Sequence, residues 1–509
     1  MIITASVIFR TVHPCFFQFL QKIQKNNEDK DLVRKLHNPK PRPGDSAGAN
    51  STGGLGRPQR EQALQTVTDN ALDLQLAALN NLGLMYAQGL GVEQDYAQAL
   101  QCYQQAADQG AAQAQSNLAV MYSHAQGVAQ DFGAARKWYQ AAAEQGLPSA
   151  QSSLATLYAN GQGGEADYAQ ALHWYQAAAA QGDGAAQVNL GVMYANGQGV
   201  AKDYARALEC YQARAAAGDA LAQYGLGVMY ANGHGVTRDA QQACHWYTLA
   251  AEQDHVHAQF NLGFMYSSGD LVASDAPRAL HWYERAAQLG DAAAQYNLGV
   301  IYSAGQGLEK DPAKALHWYL AAAQQGDAAA QYNLGLMYAT GDGTEQDEAV
   351  ALAWYQLAAD QGDAQAQYNL GVMIANGQGT IASDTVAMQW LELAADQGDA
   401  LARYSLGALY QAGTSSAPDY ARALACYRQA AVQGQVDAQA ALGWMYANGV
   451  GVLQDFVRAH MWFNLAAVSA HAQACAGRDF VAQQMTPAQI AQAQDMARTC
   501  LQNNYQNFD

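Results

Sequence analysis

Six aromatic residues recur at a constant interval of 36 residues along this 509-residue chain. The row consists of Tyr224, Phe260, Tyr296, Tyr332, Tyr368 and Tyr404. A second row lies one residue further along and consists of Asn261, Asn297, Asn333 and Asn369. Aromatic side chains offer a large contact area at a small entropy cost, and carboxamides hydrogen-bond to peptide main chain without demanding a sequence. The two rows therefore suit the non-covalent recognition of an extended peptide.

A purely structural role is the alternative for both rows, because tyrosine and asparagine can also pack and tie a helix. The same register earlier in the chain carries other residue types: Asn80, Ser116, Ser152 and Val188. A tyrosine needed only for packing should recur in every copy, so this difference favours a functional role for the aromatic row.

Covalent chemistry has little support in the sequence. The run Gly44-Asp-Ser46-Ala-Gly48 matches the nucleophile-elbow string, which requires a strand before it and a helix after it. Here it lies in a segment rich in proline, glycine and serine, so we interpret it as a chance match. There is no S-x-x-K, H-E-x-x-H or P-loop motif. We expect a protein that is not an enzyme and needs no cofactor.

Four histidines form another register row, and each directly precedes an aromatic pair: His173, His245, His281 and His317. A closed zinc site needs three or four protein ligands, and no cysteine or carboxylate joins this row in register. We expect solvated or half-packed histidines and no metal, with a pH-sensitive surface as the alternative.

These rows exist because the whole chain repeats every 36 residues. A fixed period of this length is typical of solenoids and arrays, which present a long surface to a partner. The clearest marker is a leucine that appears eleven times without a slip in register: Leu82, Leu118, Leu154, Leu190, Leu226, Leu262, Leu298, Leu334, Leu370, Leu406 and Leu442.

Each unit predicts two helices separated by turns. Gly305 and Gly307 suit a tight turn with positive φ. Asp311 before Pro312 indicates an N-cap followed by proline in the first helical position. Gly326 predicts the end of the second helix. Gly299 stands in the middle of the first helix, where glycine costs roughly 1 kcal/mol, so we expect a neighbouring helix to approach closely there.

The recurring string A-Q-Y-N-L-G-x-x-Y, followed by G-x-G, W-Y and Q-G-D, resembles the Sel-one-like repeat (SLR) family, a relative of the tetratricopeptide repeats. The resemblance covers residues 77–467. It implies an all-α fold, an α/α superhelical solenoid of about eleven helix–turn–helix repeats. Members of the family are mostly adaptors and scaffolds, many of them bacterial, and some act in host interaction or envelope signalling.

The resemblance also implies where the rows lie. In tetratricopeptide-like stacks the first helix of each pair lines the concave face, and the aromatic row would then point inward. The residues after the glycine add apolar surface beside it: Val228, Phe264, Val300, Leu336 and Val372. The function that we expect is a non-catalytic adaptor that binds a protein or peptide on the concave face of repeats 5–10.

The cysteines bear on a second hypothesis, because a disulfide-rich branch of the family is associated with β-lactam binding and has two cysteines per repeat. This chain does not show that pattern. Cys102, Cys210 and Cys426 occupy the position of a repeat tryptophan and Cys244 that of a leucine, which predicts buried thiols. A disulfide between Cys475 and Cys500, in the predicted C-terminal cap, is the alternative to free thiols there. A β-lactam-binding or hydrolysing enzyme stays the alternative, as does a carbohydrate- or envelope-associated scaffold.

The net charge of −18 conceals an asymmetry. Residues 1–60 contain 10 Lys and Arg against 4 Asp and Glu, whereas the rest contains 16 against 40. An acidic solenoid is a poor partner for nucleic acid. Most of the recurring acids have the position of helix N-caps: Asp203, Asp239, Asp275, Asp311 and Asp347.

The segments outside the repeats predict four parts in all. Residues 1–60 indicate a disordered basic segment, 61–76 an N-terminal capping helix derived from half a repeat, 77–467 the eleven repeats, and 468–509 a C-terminal helical cap. The last helix should open at Thr486-Pro487 and reach about Cys500. No transmembrane segment and no convincing signal peptide are found. We expect a monomer; a cytoplasmic location is favoured, with a secreted or periplasmic one as the alternative.

Overall fold

The computed structural model describes residues 57–413 and 417–503. The boundary between two compact units falls between Gln75 and Leu76. The predicted disordered segment therefore lies almost wholly outside the described residues, as does Ser46. Within the described part of the chain, all regular structure is α-helical.

Twenty-two of the helices form eleven successive pairs. The first helices are the latter part of α1 (Arg57–Gln88), then α3 (Ala112–Ser123), α5 (Pro148–Asn160), α7 (Gly184–Asn196), α9 (Ala220–Asn232), α11 (Val256–Ser268), α13 (Ala292–Ala304), α15 (Ala328–Thr340), α17 (Ala364–Asn376), α19 (Ala400–Ala412) and α21 (Val436–Asn448). The second helices are α2 (Tyr96–Ala107), α4 (Phe132–Glu144), α6 (Tyr168–Ala180), α8 (Tyr204–Ala216), α10 (Ala240–Glu252), α12 (Ala276–Gln288), α14 (Pro312–Gln324), α16 (Glu348–Asp360), α18 (Asp384–Asp396), α20 (Tyr420–Ala431) and α22 (Phe456–Ala467).

Helices pack mainly on the helices next to them in sequence, and neighbouring first helices also touch each other directly. This is the contact pattern of a solenoid, in which each pair covers the apolar face of the next. The predicted all-α solenoid of helix pairs is confirmed.

In most first helices a glycine in the middle of the helix packs against an aromatic ring of the second helix. A Cβ atom added to Gly299 would lie 2.5 Å from the ring carbon Cδ1 of Tyr319. Tyr319 itself is almost wholly buried. The close approach inferred from the sequence is therefore real, and its partner is this ring of the same repeat.

The caps have the predicted chemistry. Asp311 Oδ1 accepts a hydrogen bond from the backbone N–H of Lys314 at 3.0 Å, and Pro312 is the first residue of α14. Asp327 Oδ1 accepts from the N–H of Ala330 at 2.7 Å and caps α15. Gly326 adopts a φ of +92°, which only glycine reaches without strain. Polar caps and glycine turns thus set the ends of the helices.

In most repeats a buried glutamine links the helix pair to its neighbour. Gln295 Nε2 donates to the carbonyl of Ala287 in the preceding repeat at 3.1 Å, and Gln295 Oε1 accepts from Gln325 Nε2 at 2.8 Å. The same acceptor bond recurs at Gln115, Gln151, Gln223, Gln331 and Gln367. Sequence analysis assigned this glutamine no role, although it recurs in nearly every copy.

The two ends of the repeat array differ. Residues 61–76 are helical, but α1 continues without a break to Gln88, so they do not form a helix of their own. Beyond the last pair, α23 (Ala472–Ala482) and α24 (Pro487–Gln502) both pack against α22. Thr486 caps α24 in a reciprocal arrangement with Gln489, and Cys500 is buried.

Candidate functional site

The aromatic, asparagine and post-glycine rows lie together on one face of the first helices. In α13, Ala294 and Leu298 are fully buried, whereas Tyr296, Asn297 and Val300 are half-buried. Residues separated by three or four positions share a helix face, so these three form one outward-facing patch. We call the patches of successive first helices the first-helix stripe.

Each ring of the aromatic row rests partly on the second helix of its own repeat. The ring centroids of Tyr296 and Tyr319 are 5.9 Å apart. The same contact, at 5.7–5.9 Å, is made at Tyr224, Phe260, Tyr332 and Tyr404. All six members are half-buried, Tyr368 included. One side of these rings therefore packs within the solenoid and the other side stays accessible.

The stripe differs between the two halves of the repeat array. At the aromatic position of repeats 2–4, Ser116, Ser152 and Val188 are buried. In repeats 5–10 the same position carries the larger, half-buried rings. The difference noticed in the sequence thus becomes a difference in the shape and chemistry of this face.

The asparagines are partly occupied by their own helices. Asn297 Nδ2 and Asn333 Nδ2 donate to the carbonyls of Ala293 and Ala329, one turn earlier, at 2.8 Å. Asn333 also hydrogen-bonds to the hydroxyl of Tyr296. A helix-tying role is therefore real for these two residues, and Asn297 leaves more of its carboxamide available than Asn333 does.

Burial raises the pKa of the Tyr296 hydroxyl above its ordinary value. The negative charges of Asp327 and, more weakly, Asp363 raise this pKa further, whereas a hydrogen bond with Asn333 acts in the opposite direction. The pKa of Tyr404 is raised by burial and then by Asp437. These hydroxyls stay protonated at neutral pH and can donate hydrogen bonds, and carboxylates of following repeats lie close to them.

Two exposed aromatic residues continue the post-glycine row and were missed by sequence reasoning. Trp444 is 45% exposed and Phe480 is 62% exposed, against 53% for Phe264 earlier in the row. Their register was the available signal, because Trp444 stands directly after Gly443 and Phe480 follows 36 residues later. The apolar part of the stripe therefore extends beyond repeat 10 to α23.

The histidine row lies on the surface of the second helices. Each ring is exposed and meets the neighbouring tryptophan edge to face at 4.9–5.1 Å, at His173, His245, His281 and His317. No group of three or more potential metal ligands occurs among the residues that the structure describes.

The prediction of buried cysteines is only partly correct. Cys102 is buried, but Cys210, Cys244 and Cys426 are half-buried. The tryptophan that usually occupies this position is itself half-buried in most repeats, so a smaller thiol there keeps some exposure. Cys475 and Cys500 are both free thiols.

Comparison with known families matches the Sel1 repeat in eleven consecutive segments: residues 76–110, 112–147, 148–183, 184–219, 220–255, 256–291, 292–327, 328–363, 364–399, 400–435 and 436–467. The chain belongs to the Sel1 repeat family. The resemblance inferred from the repeat pattern is thereby confirmed. Sel1 repeat solenoids commonly mediate protein–protein interactions and are typical of non-catalytic repeat proteins.

Solved Sel1 repeat structures resemble this one. The crystal structure of c5321, a protective antigen present in uropathogenic Escherichia coli strains and displaying an SLR fold, is 32% identical with a TM-score of 0.65, over 87% of this chain and 96% of that one. A Sel1 repeat protein from Oxalobacter formigenes is 35% identical over 61% of this chain and 90% of its own, with a TM-score of 0.45. No match is found among curated proteins.

Within the described residues, every helix of this Sel1 repeat protein is too short or too polar to cross a lipid bilayer. The first-helix stripe presents a continuous row of half-buried aromatic rings, and this stripe is the candidate functional surface.

Proposed function

We propose that this Sel1 repeat protein is a non-catalytic adaptor that binds an extended segment of a partner protein along the first-helix stripe of repeats 5–10. The observation that carries the proposal is the alignment of six half-buried aromatic rings in six successive first helices. By analogy with tetratricopeptide-like stacks, this stripe would line the concave face. A role in bacterial signalling or host interaction would fit such an adaptor.

The packing of the rings supports a binding role. A ring held on one side by a core tyrosine has lost most of its rotamer freedom before a ligand arrives, as Tyr296 has against Tyr319. Such preorganisation lowers the entropic cost of association. Because the rings repeat with the helices, a ligand that follows the stripe can contact several of them at once.

The proposal is tested by selecting random peptides on the full chain and comparing their binding with a variant that carries Tyr296→Ala, Tyr332→Ala and Tyr368→Ala. Truncation of an interface aromatic can cost ~2 kcal/mol or more of binding, so the selected peptides should lose at least tenfold in affinity. Circular dichroism should show an almost unchanged helical signal.

The matched control replaces three tyrosines at the start of second helices: Tyr168→Ala, Tyr204→Ala and Tyr420→Ala. These side chains lie outside the stripe, and binding should be retained. If the stripe variant unfolds, the row is structural. If it stays folded and binds undiminished, the ligand surface lies elsewhere, and a glycan array would then examine the carbohydrate alternative.

A further inference from the structure

The first-helix stripe has almost no positive charge. From residue 76 to residue 448, the first helices contain a single Lys or Arg, Arg403. Its guanidinium donates to the carbonyl of Ala395 at 3.0 Å, in the place of the linking glutamine of other repeats. The positive side chains of the repeats therefore lie almost entirely on second helices and loops.

Acidic residues start the first helices that carry the aromatic row. Asp291, Asp327, Asp363 and Asp399 are half-buried N-caps, and the Oδ1 of each accepts one backbone N–H at 2.7–2.8 Å. The preceding second helix ends only a few residues before each cap. Its negative C-terminal dipole therefore lies beside the positive N-terminal dipole of the first helix, and the two partial charges largely cancel. Each of these junctions therefore keeps about one full negative charge.

Several second-helix caps are different, because basic residues accompany them. The carboxylate of Asp275 lies 3.3 Å from Arg278, and that of Asp311 lies 3.3 Å from Lys314. Asp327, Asp363 and Asp399 make no ion pair within the described residues, although Gln365 Nε2 donates to Asp399. The solenoid thus pairs several second-helix caps with basic residues and leaves these three first-helix caps unpaired.

The charged caps begin the helices that carry the rings: Asp327 and Asp363 each stand five residues, about 7.5 Å along the helix axis, before a tyrosine of the row. The hydroxyl of Tyr296 is close enough to Asp327 and Asp363 for their charges to act on it, and Tyr368 is influenced in the same way by Asp399 and Asp437. A cation that enters the stripe would meet a carboxylate and an aromatic face together. Both attract ammonium and guanidinium groups.

We infer that the occupant of the first-helix stripe in repeats 7–11 is an extended peptide with a Lys or Arg at about every third residue. This inference rests on the proposed function. Packed helices lie roughly 8–10 Å apart, and an extended chain in the polyproline II conformation advances about 3.1 Å per residue with three residues per turn. One repeat therefore corresponds to about three peptide residues, and every third side chain points to the same side. The charged group of each basic side chain would reach the carboxylate of one repeat, and its methylene groups would lie on the neighbouring aromatic ring.

The test uses the full chain and three fluorescent peptides of equal length built from serine, alanine and one charged residue. The first has lysine at every third position, the second has the same lysines in one contiguous block, and the third has glutamate in place of lysine. Fluorescence anisotropy measures affinity at low and high salt. The spaced lysine peptide should bind most tightly and weaken as salt screens the charges.

A charge-removing variant carries Asp327→Asn, Asp363→Asn and Asp399→Asn. Asparagine caps helices as well as aspartate does, so folding is preserved while three charges disappear. The control carries Asp275→Asn, Asp311→Asn and Asp347→Asn, the same chemical change at second-helix caps. We expect a loss of roughly tenfold in affinity for the first variant, on the scale of three partly screened ion pairs, and little change for the control.

Equal binding of the lysine peptide by the wild type and the first-helix variant would overturn the inference, as would an equal loss in the control. Equal affinity for the peptide with contiguous lysines and the peptide with spaced lysines would overturn the inferred spacing of one basic residue in about three. If neutral selected peptides bind and depend on Tyr296, Tyr332 and Tyr368 while the lysine peptide does not bind, the proposed function survives and this inference fails.

Discussion

At one position in the ladder of linking glutamines a buried amide oxygen lacks its donor, and this defect allows a quantitative test of how the repeats are held together. Gln259 is fully buried, and its Oε1 has no hydrogen-bond partner within the described residues. In the next repeat, Gln295 Oε1 accepts from Gln325 Nε2. In the repeat of Gln259, the position equivalent to Gln325 is occupied by Leu289, whose side chain has no hydrogen-bond donor.

We predict that Leu289→Gln stabilises the protein by about 1 kcal/mol. A buried acceptor without a partner costs about 1–3 kcal/mol, and a glutamine here can supply the missing N–H. Leu289 is 48% exposed, so its loss removes only about 1 kcal/mol of apolar burial. The inverse change, Gln325→Leu, leaves Gln295 Oε1 unpaired, removes a bond to Gly290 and should destabilise by a similar amount.

Hydrogen exchange of the α11 and α12 amides is the appropriate assay, because solenoids can unfold locally and a single global midpoint then hides the effect. Exchange in these helices should slow by about fivefold for Leu289→Gln, the equivalent of ~1 kcal/mol. Leu289→Asn is the matched control, since its amide is one methylene too short. If asparagine and glutamine have the same effect, the hydrogen-bond explanation is wrong.

Two further predictions concern pH and redox state. His460 is buried, and its Nδ1 has no hydrogen-bond partner within the described residues. Burial, and then the positive charge of Arg478, lower the pKa of His460 below the ordinary 6.5, while Asp479 acts in the opposite direction. The unfolded chain binds a proton at His460 more tightly than the folded chain does, so the contribution of this residue to the free energy of unfolding is present above pH 6.5 and is lost as the pH falls. Urea midpoints should therefore decrease below pH 6.5, and less steeply in His460→Leu. Parallel pH curves for the two proteins would refute this. Thermal melts with and without reductant should coincide, because the six cysteines of the described residues are free thiols, and a drop of several degrees on reduction would contradict this.

The ends and the pairing of the helices could be predicted from the sequence, because local interactions decide them. Asp311 caps a helix through a contact three residues away, and Gly326 is in a turn that needs positive φ. Gly299 in a helix already indicated a close approach. These signals are strong because eleven copies repeat them in one register. The N-terminal boundary was less predictable, since no glycine or proline stands in α1 between residues 61 and 82.

The candidate surface was only half determined by the sequence. The spacing of the aromatic row predicted that Tyr296 and Tyr332 are neighbours on one face. The position of Trp444 in the post-glycine row could also be found from the sequence. Only the tertiary structure decided how much of each ring is accessible and that the thiol of Cys210 stays partly exposed. It also decided the hydrogen bonds: Asn297 is tied to its own helix, and the amide oxygen of Gln259 lacks the donor that Gln295 has. These properties depend on contacts between residues about 20–36 positions apart, and such contacts form only when one helix pair stacks on the next.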